Sequence, residues 1–297
     1  MGCREIHKSI GMTARCLAVA ALLFAVFDSL KAQEIEAFPN YYSRDLINQQ
    51  RPMPFRYVRE NDVVWETGIW RTIDLRERFN QFFYYPLEPE GSQGRKNFAY
   101  MIWDAILKEE IQIYQDDEFK IPIDIEAFVA QFLRADTIEL EIVDDDDNYE
   151  YKSVVIPKEF TADNILQLKL KEAYFIGKET TEQAVRIIGL AVTQEQFKER
   201  DGQQEYIGQA TLFWIPMLSP QTRLLLSQRE AYYEDNIAHL PTWEEIFNTR
   251  RFSSYITRES NRFNRSIQDY LTGEDAIWEA EMIELKILNI SQDMWEY

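Results

Sequence analysis

The sequence predicts an α+β fold, with helices flanking a mainly antiparallel sheet of about five strands. Three observations carry this. Apolar residues recur at helical spacing after residue 61 and again after residue 241, while between about 136 and 217 they alternate at period two. Two of the alternating runs flank a short acidic stretch, which reads as a hairpin. A chain of 297 residues with 45% hydrophobic content can bury a core without disulfide or metal staples.

Taken in order, residues 1–32 read as a secretory signal peptide. Arg4, Lys8 and Arg15 precede the uncharged apolar run Cys16 to Phe27, and Ala32 offers a cleavage edge before Gln33. The run is short of the ~20 residues of a spanning helix. Cys16 opens the run rather than following it, so a lipid-modified cysteine is not expected. Cleavage removes both cysteines and His7, leaving His239 as the one histidine. It also removes four basic residues (Arg4, Lys8, Arg15, Lys31) and two acidic ones (Glu5, Asp28), moving the net charge from −19 to −21. No later run of about 18 apolar residues follows, so the exported chain is expected to be soluble. The acidic balance argues against nucleic acid and against a polybasic grip on anionic lipid.

Residues 33–60 read as an extended arm, since Pro52 and Pro54 force extended backbone before them and no periodicity appears. Residues 61–297 read as one α+β domain, divisible into helical (61–135), sheet (136–226) and helical (227–297) lobes. Asp62 is a good N-cap for a helix Val63 to Leu75, with Trp65, Ile69 and Ile73 at spacings of four. Pro86 to Gly94 is a loop. Helices are expected over Asn97 to Glu110 and, capped by Asp124, over Ile125 to Leu133. Strands follow at Ile138 to Ile142, Tyr149 to Ile156, Leu166 to Leu170, Arg186 to Val192 and Gln209 to Met217. Thr242 and Glu245 form a capping box for a helix running to about Thr257. Gly273-Glu274-Asp275 opens a final helix with Ile277, Ala280, Ile283, Glu284 and Ile287 on one side.

The catalytic inventory is thin. A Ser/His or Cys/His nucleophile needs a positioned histidine, and a zinc site needs clustered Cys and His. His239, in a loop before a helix, reads as a surface or partly packed side chain. Asp144 to Asp147 fail as an EF-hand, whose sixth and twelfth positions would be Tyr149 and Val155. They read as a solvated tip, as does Asp116-Asp117-Glu118. Gly91-Ser92-Gln93-Gly94 lacks the lysine of a phosphate loop. No metal or cofactor is expected.

Charge segregation is more telling. Arg250, Arg251, Arg258, Arg262 and Arg265 lie close together with only Glu259 opposing, and Arg56, Arg59, Arg71, Arg76 and Arg78 form a looser second group. Phe252, Tyr255, Phe263, Trp65 and Trp70 lie among them. Arginine forks carboxylates and stacks on aromatic rings, and Arg, Tyr and Trp anchor interfaces. Two readings stand: a partner surface built on Arg250, Arg251, Phe252, Tyr255, Arg258 and Arg262, or internal salt bridges between elements.

Several runs, in this order, are familiar. They are Trp70-Arg71 with Ile73-Asp74-Leu75-Arg76-Glu77, Tyr84-Tyr85-Pro86, and Ile113-Tyr114 leading to Asp116-Asp117-Glu118-Phe119. Arg186-Ile187-Ile188-Gly189-Leu190-Ala191 and Leu212-Phe213-Trp214-Ile215 come next. The series ends with Arg250 to Ile256, Glu259-Ser260-Asn261 and the terminal Trp295-Glu296-Tyr297. Over about residues 52–297 the chain resembles the gliding-motility protein family GldN, also called PorN, of the type IX secretion system. The resemblance implies a periplasmic, non-enzymatic subunit. It would form a ring with an outer-membrane lipoprotein (GldK or PorK) and contact an inner-membrane motor protein (GldM or PorM). The alternatives are a secreted hydrolase using two convergent carboxylates, one with a raised pKa, or a monomeric small-ligand binding protein.

Overall fold

The computed structural model describes residues 50–92, 94–133, 136–143, 149–156, 160–178, 183–200, 203–232 and 240–293. All of them fall within one compact unit, Ile47–Tyr297. The signal peptide with both cysteines, His239 and the acidic stretch 144–147 lie outside the described residues.

The fold is α+β, and its main sheet has five strands, all antiparallel. In chain order the elements are β1 (Val63–Asp74), α1 (Gln81–Tyr84), α2 (Phe98–Leu107), α3 (Ile125–Phe132), β2 (Asp136–Val143) and β3 (Tyr149–Ile156). They continue with β4 (Gln167–Gly177), β5 (Gln183–Arg200), β6 (Gln203–Pro216), α4 (Pro220–Gln228), α5 (Trp243–Asn248), β7 (Tyr255–Glu259) and α6 (Glu274–Asp293). The sheet order is β6-β5-β4-β1-β7, and β2 and β3 pair separately as the expected hairpin.

One expected helix is a strand, and another is cut short by one. Residues 63–74 form β1, paired with β4 on one side and β7 on the other. The spacing of four that suggested a helix is also two strand periods, so Trp65, Ile69 and Ile73 share a face either way. The density of Val, Ile, Thr and Trp in VVWETGIWRTID favours the strand. The helix beginning at Trp243 ends at Asn248 instead of running to about Thr257. Arg250 turns into left-handed backbone, φ 54°. Arg251 N–H then bonds Ile246 C=O and Arg250 N–H bonds Phe247 C=O, a Schellman closure. The chain then extends into β7. The two strands so gained replace the β2–β3 hairpin in the sheet.

Asp124 and Thr242 cap as expected; Asn97, expected as the first helical residue, is itself a cap, and Asp62 caps no helix but closes a short 3-10 turn before β1. The Asn97 side chain accepts from Tyr100 N–H, Asp124 from Glu126 N–H, and Thr242 from Glu245 N–H. These place α2 and α5 so that Phe83, Phe98 and Trp243, each no more than 1% exposed, meet with ring centroids 5.0–5.8 Å apart. This larger core continues onto one sheet face through Ile73, Leu168, Leu170, Leu190, Val192, Phe213 and Ile215. A second, smaller cluster joins Ile69, Tyr174, Ile256 and Ile267 to Ile283 and Ile287 of α6.

The other sheet face is crossed by residues 111–123, tied to β6 by a Tyr114–Trp214 bridge. Phe119 caps Gly189 of β5 there: a Cβ at 189 would lie 2.6 Å from the Phe119 ring. Gly189→Ala should therefore cost about 1–3 kcal/mol in chemical denaturation, by overpacking. Combining it with Phe119→Ala should recover part of the loss, the non-additivity expected of touching residues.

At the end of β1, Asp74 accepts from Arg76 N–H, Nε and Nη2 and from Gln167 Nε2. The Arg76 bonds hold its carboxyl below the ordinary range. An acid depressed in the fold adds stability above its unfolded pKa and loses it as pH falls through the folded value. The stability gap between wild type and Asp74→Asn should be full above about pH 5 and close as pH falls below about 4. Urea melts at a series of pH values would measure it.

Candidate functional site

Three linked places bring charge and aromatic rings together, and each draws on distant parts of the chain. The first is Glu172 of β4, whose side chain is fully buried. Arg250 places Nη1 2.9 Å from one carboxylate oxygen and donates through Nη2 to the other at 3.1 Å. Arg71 of β1, 7% exposed, lies 3.5 Å away through Nε. The Tyr174 hydroxyl donates to the same carboxylate at 3.2 Å, and its pKa is raised by burial first and by Glu172 second. Arg71 reaches further, donating to Glu284 of α6 at 2.8 Å and to the Ser254 hydroxyl at 3.2 Å. Three segments thus meet on one buried anion, and Arg71 extends the network to two more.

The second place lies on the opposite sheet face. Trp70, Lys171 and Arg258 are register neighbours on β1, β4 and β7. The Arg258 guanidinium stacks 3.5 Å over the Trp70 ring, and Lys171 Nζ lies 5.4 Å from it. Asp117 caps the stack: it accepts from Trp70 Nε1 and Arg258 Nη2, both at 3.0 Å, and its carbonyl accepts from Lys171 at 2.7 Å. Asp117 is therefore not a solvated tip but the anchor of the crossing loop. Its neighbour Asp116 accepts from Ile121 and Lys120 N–H, which lowers its pKa and folds the turn.

The third place holds the arm. Residues 51–59 have neither helix nor strand, and Phe55 sits between Arg223 and Arg186, 4.1 and 5.4 Å from the ring. Arg223 donates to Met53 C=O and Arg186 to Arg56 C=O, while Met53 N–H donates to Glu244 of α5 at 3.0 Å. Glu244 is raised by burial. It is the one carboxylate lining this cavity of about 270 Å³ among the described residues, whereas the hydrolase alternative needs two.

The expected partner residues divide. Arg250 and Phe252 turn inward and Arg258 lies on Trp70. Arg251 is half-exposed, 3.3 Å from Glu245, and Tyr255 and Arg262 face solvent. Arg265 stacks outward on Phe263 and Tyr270. In the second group Arg71 is buried and Arg76 pairs with Asp74 and Glu195. Of the acidic halves, Asp117 was read from sequence as part of a solvated tip and Glu172 was not singled out. Glu172 could have been: it interrupts the inward row Leu168, Leu170, Tyr174 and Ile176 with a charge. Among the described residues no group of three or more His, Cys, Asp or Glu is placed to hold a metal. No described helix is long and apolar enough to cross a membrane.

These charges join segments of the fold, and a comparison with known families places the chain. Residues 58–296 match a family of gliding-motility components that are structural and not known as enzymes. That family is the gliding motility associated protein GldN, of the type IX secretion machinery of the cell envelope, and this chain belongs to it. No curated protein matches the chain.

Removing the charge at Glu172 tests the joint. Glu172→Gln leaves the buried Arg71 and the part-exposed Arg250 facing a neutral amide, with Arg71 keeping Glu284, and should cost about 2–4 kcal/mol. Amide exchange should show α6 and β7 opening before the Phe98–Trp243 core.

Proposed function

We propose that the chain is a periplasmic structural subunit of the type IX secretion and gliding machinery. It is exported on residues 1–32 and associated with the outer membrane through a lipoprotein of the GldK/PorK kind, with which its copies assemble into a ring. A motor protein of the GldM/PorM kind, reaching from the inner membrane, is its other partner. The observation that carries this reading is the family match, which spans nearly all the described residues.

The use of arginine supports it. Arg71, Arg250 and Arg258 join β1, β4, β7 and α6 from within, giving a body able to transmit load. Arg251, Tyr255 and Arg262 stay at the surface. A ring is a heterologous assembly in which two different patches of one subunit meet. The partner surface therefore centres on Arg251, Tyr255 and Arg262, with Arg250, Phe252 and Arg258 anchoring the same stretch of chain to the body, and it meets an acidic patch through forked arginine–carboxylate bonds.

The double reversal Arg251→Glu with Arg262→Glu should abolish co-purification with the lipoprotein. The isolated subunit should stay folded and lose no more than about 1–1.5 kcal/mol, since the Arg251–Glu245 pair it breaks is part-exposed. Wild-type recovery of the complex would sink this surface. A wild-type chain that never co-purifies with a lipoprotein and runs as a monomer would sink the assembly itself.

A further inference from the structure

Helix α6 carries a second apolar stripe that no described residue covers. Its inner stripe, Ala276, Ala280, Ile283 and Ile287, packs on the cluster around Ile69 and Ile256. Trp278, Met282 and Leu285 follow at spacings of four and three, and at 100° per residue they lie nearly opposite that stripe. They are 65%, 58% and 50% exposed. Ile277 and Leu288, also more than half exposed, widen the patch toward a cavity of about 780 Å³ lined by Tyr255, Leu271, Ala276 and Glu281. A single exposed apolar side chain is ordinary, but this many on one helix form a patch of the kind that marks an interaction.

Charge indicates what covers it. The helix carries six carboxylates and one lysine. Glu284 is taken by Arg71, Glu279 accepts from the Tyr270 hydroxyl, and Lys286 is held by Glu259. Among the described residues, no cation is within ion-pairing distance of Glu274, Asp275 or Glu281, which border the stripe on both sides. These acids repel an anionic bilayer, whose surface helices carry Lys and Arg. They also disfavour the same helix of a second copy, which would set carboxylates against carboxylates. A row at i, i+4 and i+7 is complementary to another helix lying along it.

We propose that the outer face of α6 docks a cationic amphipathic helix of a partner protein. Apolar residues of that helix pack on Trp278, Met282 and Leu285, and its Lys or Arg flanks answer Glu274, Asp275 and Glu281. The inference rests on α6 alone and stands or falls independently of the ring and of the Arg262 surface.

The probe is a labelled synthetic helix of Leu and Lys, about 18 residues or five turns long, with its leucines on one face. The same helix with Glu for Lys is the comparison. Fluorescence anisotropy should show the Lys helix binding and the Glu helix not. The triple variant Trp278→Gln, Met282→Gln, Leu285→Gln should weaken binding about tenfold or more, as loss of an aromatic anchor does. Glu274→Gln with Glu281→Gln should weaken it severalfold at low salt and less at high salt. The proposal is overturned if the triple variant binds the Lys helix as tightly as wild type, since attraction to the acidic chain at large would then explain it. It is equally overturned if the Glu helix binds as well, if vesicles rich in phosphatidylserine bind through the stripe, or if the wild type dimerises and the triple variant does not. Should the triple variant fail to fold, the charge-swapped helices and the Glu274/Glu281 variant decide.

Discussion

A fully buried carboxylate must be neutralised where it stands, and Glu172 imposes that requirement on the whole molecule. It sits at the seam between the two apolar clusters: Ile73 belongs to the larger, Ile69 to the smaller, and Arg71 lies between them on the same face of β1. An isolated charge there would cost several kcal/mol, so the fold surrounds it with two guanidinium groups and a phenol. Each partner comes from a different segment. The position after α5 where glycine is common is an arginine in left-handed backbone, and that turn is what directs its side chain to Glu172. Conformational cost at Arg250 and desolvation at Glu172 are thus parts of one arrangement.

The net charge of −19 hides this pattern. Many carboxylates of the described residues face solvent. A few, Glu172 and Asp117 above all, are spent on cations that staple strands together. The two staples lie on opposite faces of the sheet, one near the axis of α6 and the other under the crossing loop, so β1 is clamped on both sides. Planar guanidinium suits both uses: it chelates Glu172 and stacks on Trp70. Lysine in either place would supply charge without the fork or the flat face.

Much of this was legible in the sequence. The fold class, the caps Asp124 and Thr242, and strands β2 to β6 follow from period and local chemistry, which need only neighbours. What was misread needed long-range contacts. Residues 63–74 fit both periods by apolar position alone, and only the β-branched and aromatic content tilts toward strand. The end of α5 is decided by Arg250 reaching a carboxylate 78 residues away, which no local rule contains. For the site, the arginines stood out because they cluster in sequence, but their partners do not cluster. Whether an arginine faced in or out depended on those partners, so the group divided in a way composition did not foretell.

Strand order carries a further consequence. β1 is made first yet lies between β4 and β7, so one of its edges stays open until almost the whole chain is present. Arg71 waits for Glu172 and then for Glu284. Closure of the sheet is therefore a late event with long loops to close, the regime of slow folding. Until α6 is in place Arg71 lacks Glu284, so the last described helix acts as the latch that closes β1.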